Sequence, residues 1–228
     1  MLGTAMLAPL LWPAVRRGLG NRFDRAVIRE IFDEALASYE ERKRTLPAEA
    51  GTGGRLMVHL AALTVALYRA LQSRDVPEAQ ARALTARVTW HAYAKMAAVP
   101  TLVSKIGTKP GRERLERATQ VFRRFPFGPP AYVMEDVETT GDSVAFDVRR
   151  CPVAEYFVSQ GLGELCIESW CNLDFPLAKN WDATLERPRT LAAGDDRCDF
   201  RWHSTGGGGA VPETRRAPTA SGATPSTE

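Results

Sequence analysis

Residues 130–176 read PAYVMEDVETTGDSVAFDVRRCPVAEYFVSQGLGELCIESWCNLDFP, and a change of period inside this stretch decides the fold class. Up to Arg150 the alternation is two. Tyr132 to Glu138 form one run, Thr140-Gly141-Asp142 supply a turn, and Val144, Phe146 and Val148 share one face of a second run, which predicts a β-hairpin. Beyond Cys151 the spacing becomes helical: Pro152 suits a first helical position, the run reaches Gln160, and Gly161 can supply a left-handed cap. A second helix is expected over residues 163–175, ended by Pro176.

Downstream, residues 183–191 and 197–203 read as two strands joined by Ala193-Gly194-Asp195-Asp196, so 129–203 is expected to be a ββααββ half built on an antiparallel sheet. Upstream, Phe23, Val27, Ile28, Ile31, Phe32, Ala35, Leu36 and Tyr39 trace a helical stripe that Asp24 can cap. Leu56, Leu60, Leu63, Leu67 and Leu71 trace another, Pro77 opens a third that runs to about Ala98, and a fourth spans 112–124 before the prolines of FPFGPP. Residues 23–128 are therefore expected as a helical half that joins 129–203 in one α+β domain. Residues 1–22 read as an apolar N-terminal arm and 204–228, with GGGG and no periodicity, as a flexible tail.

At 228 residues, 44% hydrophobic and 25% charged, the chain is long and apolar enough to bury a sizeable core. Its 30 Lys+Arg against 27 Asp+Glu leave a formal charge of +3, which argues against a nucleic-acid partner. The four cysteines include no C-x-x-C pair and follow no secretory leader, so reduced thiols in a cytoplasm are expected. The apolar start, MLGTAMLAPLLWPAV, is shorter than the about 20 residues a membrane span needs. A buried arm accounts for it; contact with a membrane surface, with Arg16, Arg17 and Arg22 at the headgroups, is the lesser reading. GxSxG, P-loop, GxGxxG and HExxH patterns are all missing, and no cofactor is expected.

The chemically interesting residues fall between 150 and 200. Cys171 and Asp174, three apart on an expected helix, share a face; Cys151 leaves the first hairpin and Cys198 lies on the last strand, so all four can converge where the hairpins meet the helices. A thiol attacks only as thiolate, and a carboxylate three residues away suits holding water or accepting a proton better than lowering a thiol pKa. The pair thus points to a polar pocket and leaves covalent catalysis open. Cys166, beside Leu162, Leu165 and Trp170, is assigned to core packing. The spacings of Cys151, Cys171, Cys198 and Asp174 match no closed metal motif, and no metal is expected. His59 and His91 read as core histidines, and His203 as the exposed start of the tail.

Four features in order, RCP at Arg150–Pro152, the C-x-x-D of Cys171 and Asp174, the R-x-x-T of Arg187 and Thr190, and G-x-x-x-CDF from Gly194 to Phe200, resemble the L-2-amino-thiazoline-4-carboxylic acid hydrolase family. The closing hairpin is also similar to the 4-vinyl-reductase-type small-molecule-binding fold, which implies helices packed on an antiparallel sheet. The family resemblance implies a small-molecule substrate, a cyclic isothiourea opened by water at C2 with cleavage of the C–S bond to give N-carbamoyl-L-cysteine. Under it Asp174 is the base or the amidinium partner, and Arg187, or in second place Arg150, forks onto the substrate carboxylate near Thr190. Cys171 donates a proton or attacks C2, in a pocket shared with Cys151 and Cys198. Asp174→Asn is expected to abolish turnover and Cys171→Ser only to lower it. The competing reading is a non-catalytic small-molecule-binding or sensing module.

Overall fold

The computed structural model describes residues 4–205. The helical half comprises α1 (Thr4–Leu19), α2 (Arg25–Arg42), α3 (Thr52–Gln72), α4 (Glu78–Met96), α5 (Ala98–Lys105) and α6 (Arg112–Arg124). Then follow β1 (Val133–Val137), β2 (Ser143–Arg150), α7 (Pro152–Ser159), α8 (Gly163–Ser169), α9 (Asp174–Asn180), β3 (Ala183–Glu186) and β4 (Cys198–Ser204). The chain is an α+β protein. From residue 206 on, the tail expected over 204–228 lies outside the described residues, and Ser204 itself closes β4.

Local chemistry explains most boundaries in the helical half. Asp24 caps α2 by accepting the Val27 N–H at 2.9 Å, and Ile28, Ile31, Phe32, Ala35 and Tyr39 of that helix turn inward. Helix α3 is long and apolar enough to cross a membrane, yet most of its apolar stretch is buried inside the protein. Residues 1–22, read as an arm, contain α1, whose Leu7, Val15 and Leu19 enter the core shared with α2, α3 and α4. Gly18 makes the α1–α4 approach possible, because a Cβ there would stand 2.4 Å from Val88 Cγ2. Helix α5, absent from the sequence reading, starts directly after Ala97 and carries Pro100 in its first turn, where no backbone donor is needed.

The four strands form one antiparallel sheet in the order β1-β2-β4-β3. Pairing of Val144 with Trp202, Phe146 with Phe200 and Val148 with Cys198 gathers apolar side chains on one face, with the Phe146 and Phe200 rings stacked at 5.1 Å. The opposite face carries charges, such as Asp147 accepting from Arg201 at 2.8 Å. The apolar face packs with α6, α9 and the Tyr93 end of α4 into a second core. Met96, Phe127, Met134, Cys151 and Leu191 touch both cores, so the seam between them runs past Cys151.

One expected element is corrected. The single helix over 163–175 is two helices: α8 stops at Ser169, Trp170 leaves the helical region (φ −127°, ψ −61°), and a 3-10 turn over Cys171–Leu173 leads into α9. The break also suits Pro176. In a continuous helix its ring would collide with the Asn172 carbonyl and its nitrogen could not donate there; as the third residue of a new helix it offends neither. The C-terminal half is therefore ββαααββ, and the second hairpin has a shorter first strand, ending at Glu186. His203, read as the start of the tail, lies on β4, with its Nδ1 2.9 Å from Ser143 Oγ.

Candidate active site

The loop after β3 carries Arg187 and Thr190, and side chains further along the chain hold it in place. Asp199 Oδ1 accepts the Arg189 N–H and Asp195 Oδ2 the Thr190 N–H, each at 2.8 Å. Gly194, at φ 94°, takes the left-handed turn that lets the chain double back into β4. So fixed, Arg187 is 1% exposed, and its guanidinium stands 5.3 Å from the Phe175 ring and 5.4 Å from the Phe200 ring.

Arg187 joins the elements of the site. Nη1 donates to Asp174 Oδ2 at 2.8 Å and to the Cys171 carbonyl at 2.8 Å, tying the 3-10 turn and the start of α9 to the loop. Nε and Nη2 have no partner among the described residues, although both are buried. The other Asp174 oxygen, Oδ1, accepts from Tyr93 Oη of α4 at 3.2 Å. Thr190 Oγ1 lies between two sulfurs, 3.5 Å from Cys171 Sγ and 3.5 Å from Cys198 Sγ, and the Leu191 N–H donates to Cys198 Sγ at 3.3 Å. Cys166 Sγ is 4.0 Å from Cys171 Sγ. The four cysteines are free thiols, Cys166 and Cys198 buried, Cys151 and Cys171 half-buried.

Of the residues singled out from the sequence, Cys171, Asp174, Arg187, Thr190 and Cys198 are linked by these contacts. Cys151 stands at their edge, where its Sγ caps α7 by accepting the Ala154 N–H at 3.5 Å. Arg150 is not available to a ligand. It binds both oxygens of Glu49, at 2.8 and 3.0 Å, as well as the Ala131 carbonyl and Glu155, and so fastens β2 to the loop before α3. None of His59, His91 or His203 reaches the site; His59, for example, is paired with Tyr39. Among the described residues no group of His, Cys, Asp and Glu is placed to hold a metal ion.

Three participants were missed. Tyr93 and Tyr132 come from outside the motif-bearing stretch, and their one signal is general: a buried phenol needs a partner. Tyr132 Oη has none in the protein and stands near Cys151 and Cys166. Both tyrosines line an open cleft of about 2010 Å³ between α4, α6 and the first hairpin; Cys171, Asp174 and Arg187 do not line it. Cys166 is core, as expected, but it also touches Cys171.

The electrostatics distinguish the thiols. The hydrogen bond from Cys166, the Arg187 charge and the Thr190 hydroxyl outweigh burial and bring the Cys171 thiol down to about 6. Burial raises the other three, Cys198 to about 11. Burial also pushes the Asp174 carboxyl up to about 7, with Cys171 adding to the rise and Arg187 opposing it. Two acidic groups thus compete for one guanidinium, and near neutrality they hold one negative charge and one proton between them. Such a site can offer a sulfur nucleophile, a carboxyl group that gives or takes a proton, and a cationic edge for an anion.

Among curated proteins none matches the chain. Among solved structures, a mutant H-NOX protein from K. algicida in its unliganded Fe(II) form aligns with a TM-score of 0.44 at 12% identity, over 85% of this chain and 94% of that one. Residues 55–202, which contain Tyr93, Tyr132, Cys151, Cys166, Cys171, Asp174, Arg187, Thr190 and Cys198, match the L-2-amino-thiazoline-4-carboxylic acid hydrolase family. The chain therefore belongs to the L-2-amino-thiazoline-4-carboxylic acid hydrolase family.

Proposed function

We propose that the protein hydrolyses a small cyclic isothiourea bearing a carboxylate, such as L-2-amino-thiazoline-4-carboxylate, to N-carbamoyl-L-cysteine. The observation that carries this reading is the buried, unpartnered Nε and Nη2 edge of Arg187 beside a thiol of lowered pKa. Unsatisfied buried donors cost about 1–3 kcal/mol each, and a bound carboxylate in the fork geometry removes that cost. Arg187 thus anchors the substrate carboxylate, which turns C2 of the ring toward Cys171.

In the first step the Cys171 thiolate adds to C2 of the amidinium. The C2–S ring bond then breaks, and the departing sulfur takes the Asp174 proton as a free thiol. Asp174, now a carboxylate, accepts a proton from water as that water adds to the same carbon. Cys171 Sγ leaves as thiolate, the remaining hydroxyl proton, which balances the one the amidinium brought, passes to solvent, and the carbon keeps both nitrogens and gains the oxygen, which is the composition of N-carbamoyl-L-cysteine. Thr190 and Arg187 hold the sulfur in its ionised form at the start and the end. This assignment departs from the sequence expectation, in which Asp174 carried the larger share: a thiol already ionised near neutrality needs no base to attack.

Purified protein incubated with L-2-amino-thiazoline-4-carboxylate should release free thiol together with N-carbamoyl-L-cysteine, and Cys171→Ala should release neither. Saturable binding of the thiazoline that depends on Arg187, with no thiol released by the wild type, would overturn hydrolysis in favour of a binding module. Reduced thiols at the site fit a cytoplasmic setting.

A further inference from the structure

Cys166 and Cys171 are five residues apart. On an unbroken α-helix that spacing would turn their side chains roughly 140° apart, and the sulfurs could not meet. The break at Trp170 changes this, because it swings the 3-10 turn back over α8 and leaves the two sulfurs 4.0 Å apart. A disulfide needs about 2.05 Å, so the two sulfurs are in contact and about 2 Å short of a bond. The two thiols are also unequal. Cys171 is half-buried, whereas Cys166 is 1% exposed. Thr190 Oγ1 stands between Cys171 and Cys198, which leaves Cys166 as the sulfur in direct contact with Cys171. Sites that oxidise reversibly have this composition, an accessible thiolate held by cationic and hydroxyl neighbours with a second thiol next to it.

We propose that Cys171 is a site of oxidation by hydroperoxides and that Cys166 resolves it to an intramolecular Cys166–Cys171 disulfide, which closes the site until a thiol reductant reopens it. The Cys171 thiolate attacks one peroxide oxygen; the O–O bond breaks, sulfur is oxidised to the sulfenic acid, and hydroxide leaves to be protonated to water. Cys166 then attacks Cys171 Sγ. Its sulfur loses its proton, the S–O bond breaks, and the departing hydroxide takes that proton to form a second water. In sum two thiols and one hydrogen peroxide give one disulfide and two waters. This chemistry stands on the thiol geometry and does not depend on hydrolysis of the thiazoline.

The test is a peptide map of the native protein after treatment with stoichiometric hydrogen peroxide, alkylation and cleavage after glutamate, since Glu168 separates the two cysteines. A cross-linked Cys166–Cys171 pair, two hydrogens lighter than the free peptides and returned to them by dithiothreitol, is the expected product. Cys166→Ala should give no such pair and should instead accumulate a dimedone-reactive sulfenic acid at Cys171. Cross-linking of Cys171 to Cys198 or Cys151 would overturn the proposal, as would an unoxidised Cys171. So would wild-type protein that accumulates as much dimedone adduct as Cys166→Ala. The map needs no substrate and is therefore read whether or not the thiazoline is hydrolysed. Where it is, thiol release should fall in proportion to the cross-linked fraction and return with dithiothreitol.

Discussion

Arg150, at the end of β2, gives all four of its Nη hydrogens to Glu49, Glu155 and the Ala131 carbonyl, whereas Arg187, after β3, is buried more deeply and keeps Nε and Nη2 without a partner. Both belong to sequence features that carry the family resemblance, and both lie within the matched residues 55–202. Their surroundings separate them. A saturated guanidinium is a fastening: it satisfies the buried Glu49 and joins the sheet to the helical half. An unsaturated one in a desolvated place is destabilising until something completes it, which is the ground on which Arg187 is proposed as the anchor of a ligand.

That contrast can be broken or sharpened by experiment. The largest effect is expected at the sulfur beside Arg187. Cys171→Ala should lower kcat for thiol release by roughly 10⁴-fold or more, while Asp174→Asn, which removes only the proton carrier, should cost about 10²-fold to 10³-fold. An Asp174→Asn variant more damaged than Cys171→Ala would move the nucleophile from sulfur to a water activated by the carboxylate.

Next in size is the comparison of the arginines themselves. Arg187→Met should reduce kcat/KM by about 10²-fold to 10³-fold, with a rise in KM, as expected for a lost carboxylate anchor. Arg150→Met should leave kcat/KM within about threefold. Equal losses in the two variants would erase the distinction between fastening and anchor.

The pH profile tests the shared charge. As pH rises through about 6 the Cys171 thiolate forms and kcat/KM should increase; as pH rises through about 7 Asp174 loses the proton it must deliver and kcat/KM should fall. The result is a narrow bell whose two limbs are macroscopic properties of the coupled pair. In Asp174→Asn the descending limb should vanish from the residual activity. A profile that stays flat from pH 5 to 9 would remove both groups from the chemistry.

The smallest effect is one of stability. Arg150→Met should destabilise the fold by about 2 kcal/mol, because Glu49 is left buried without its cation, and Glu49→Gln in the same background should recover part of the loss. Chemical denaturation of the single and double variants measures this, and additive losses would mean that the pair does not act as a unit.

The α+β class and most element boundaries were legible because they rest on local chemistry. The period-two run before Arg150, the Asp24 cap, the Pro152 start and the Gly161 and Gly194 turns each depend on residues within a turn or two of one another. The R-x-x-T and C-x-x-D features likewise pointed to residues that the structure brings together. Periodicity failed at 163–175, where the apolar pattern suits one helix and the structure breaks it at Trp170. A counting of apolar positions does not register that a proline at a helix's third residue is tolerated while the same proline a turn further in is not.

By itself the sequence determined the α+β class, where most helices and strands form, and which side chains are apolar enough to be cores. The tertiary structure alone decided that Tyr93 reaches Asp174 across 81 residues, that Arg150 is spent on Glu49 while Arg187 is left open, and that Cys166 meets Cys171. The reason is the range of the forces. Backbone conformation and capping are settled within a few residues, whereas the charge state of a thiol or carboxyl depends on desolvation and on partners that only the packed seam between two cores brings together.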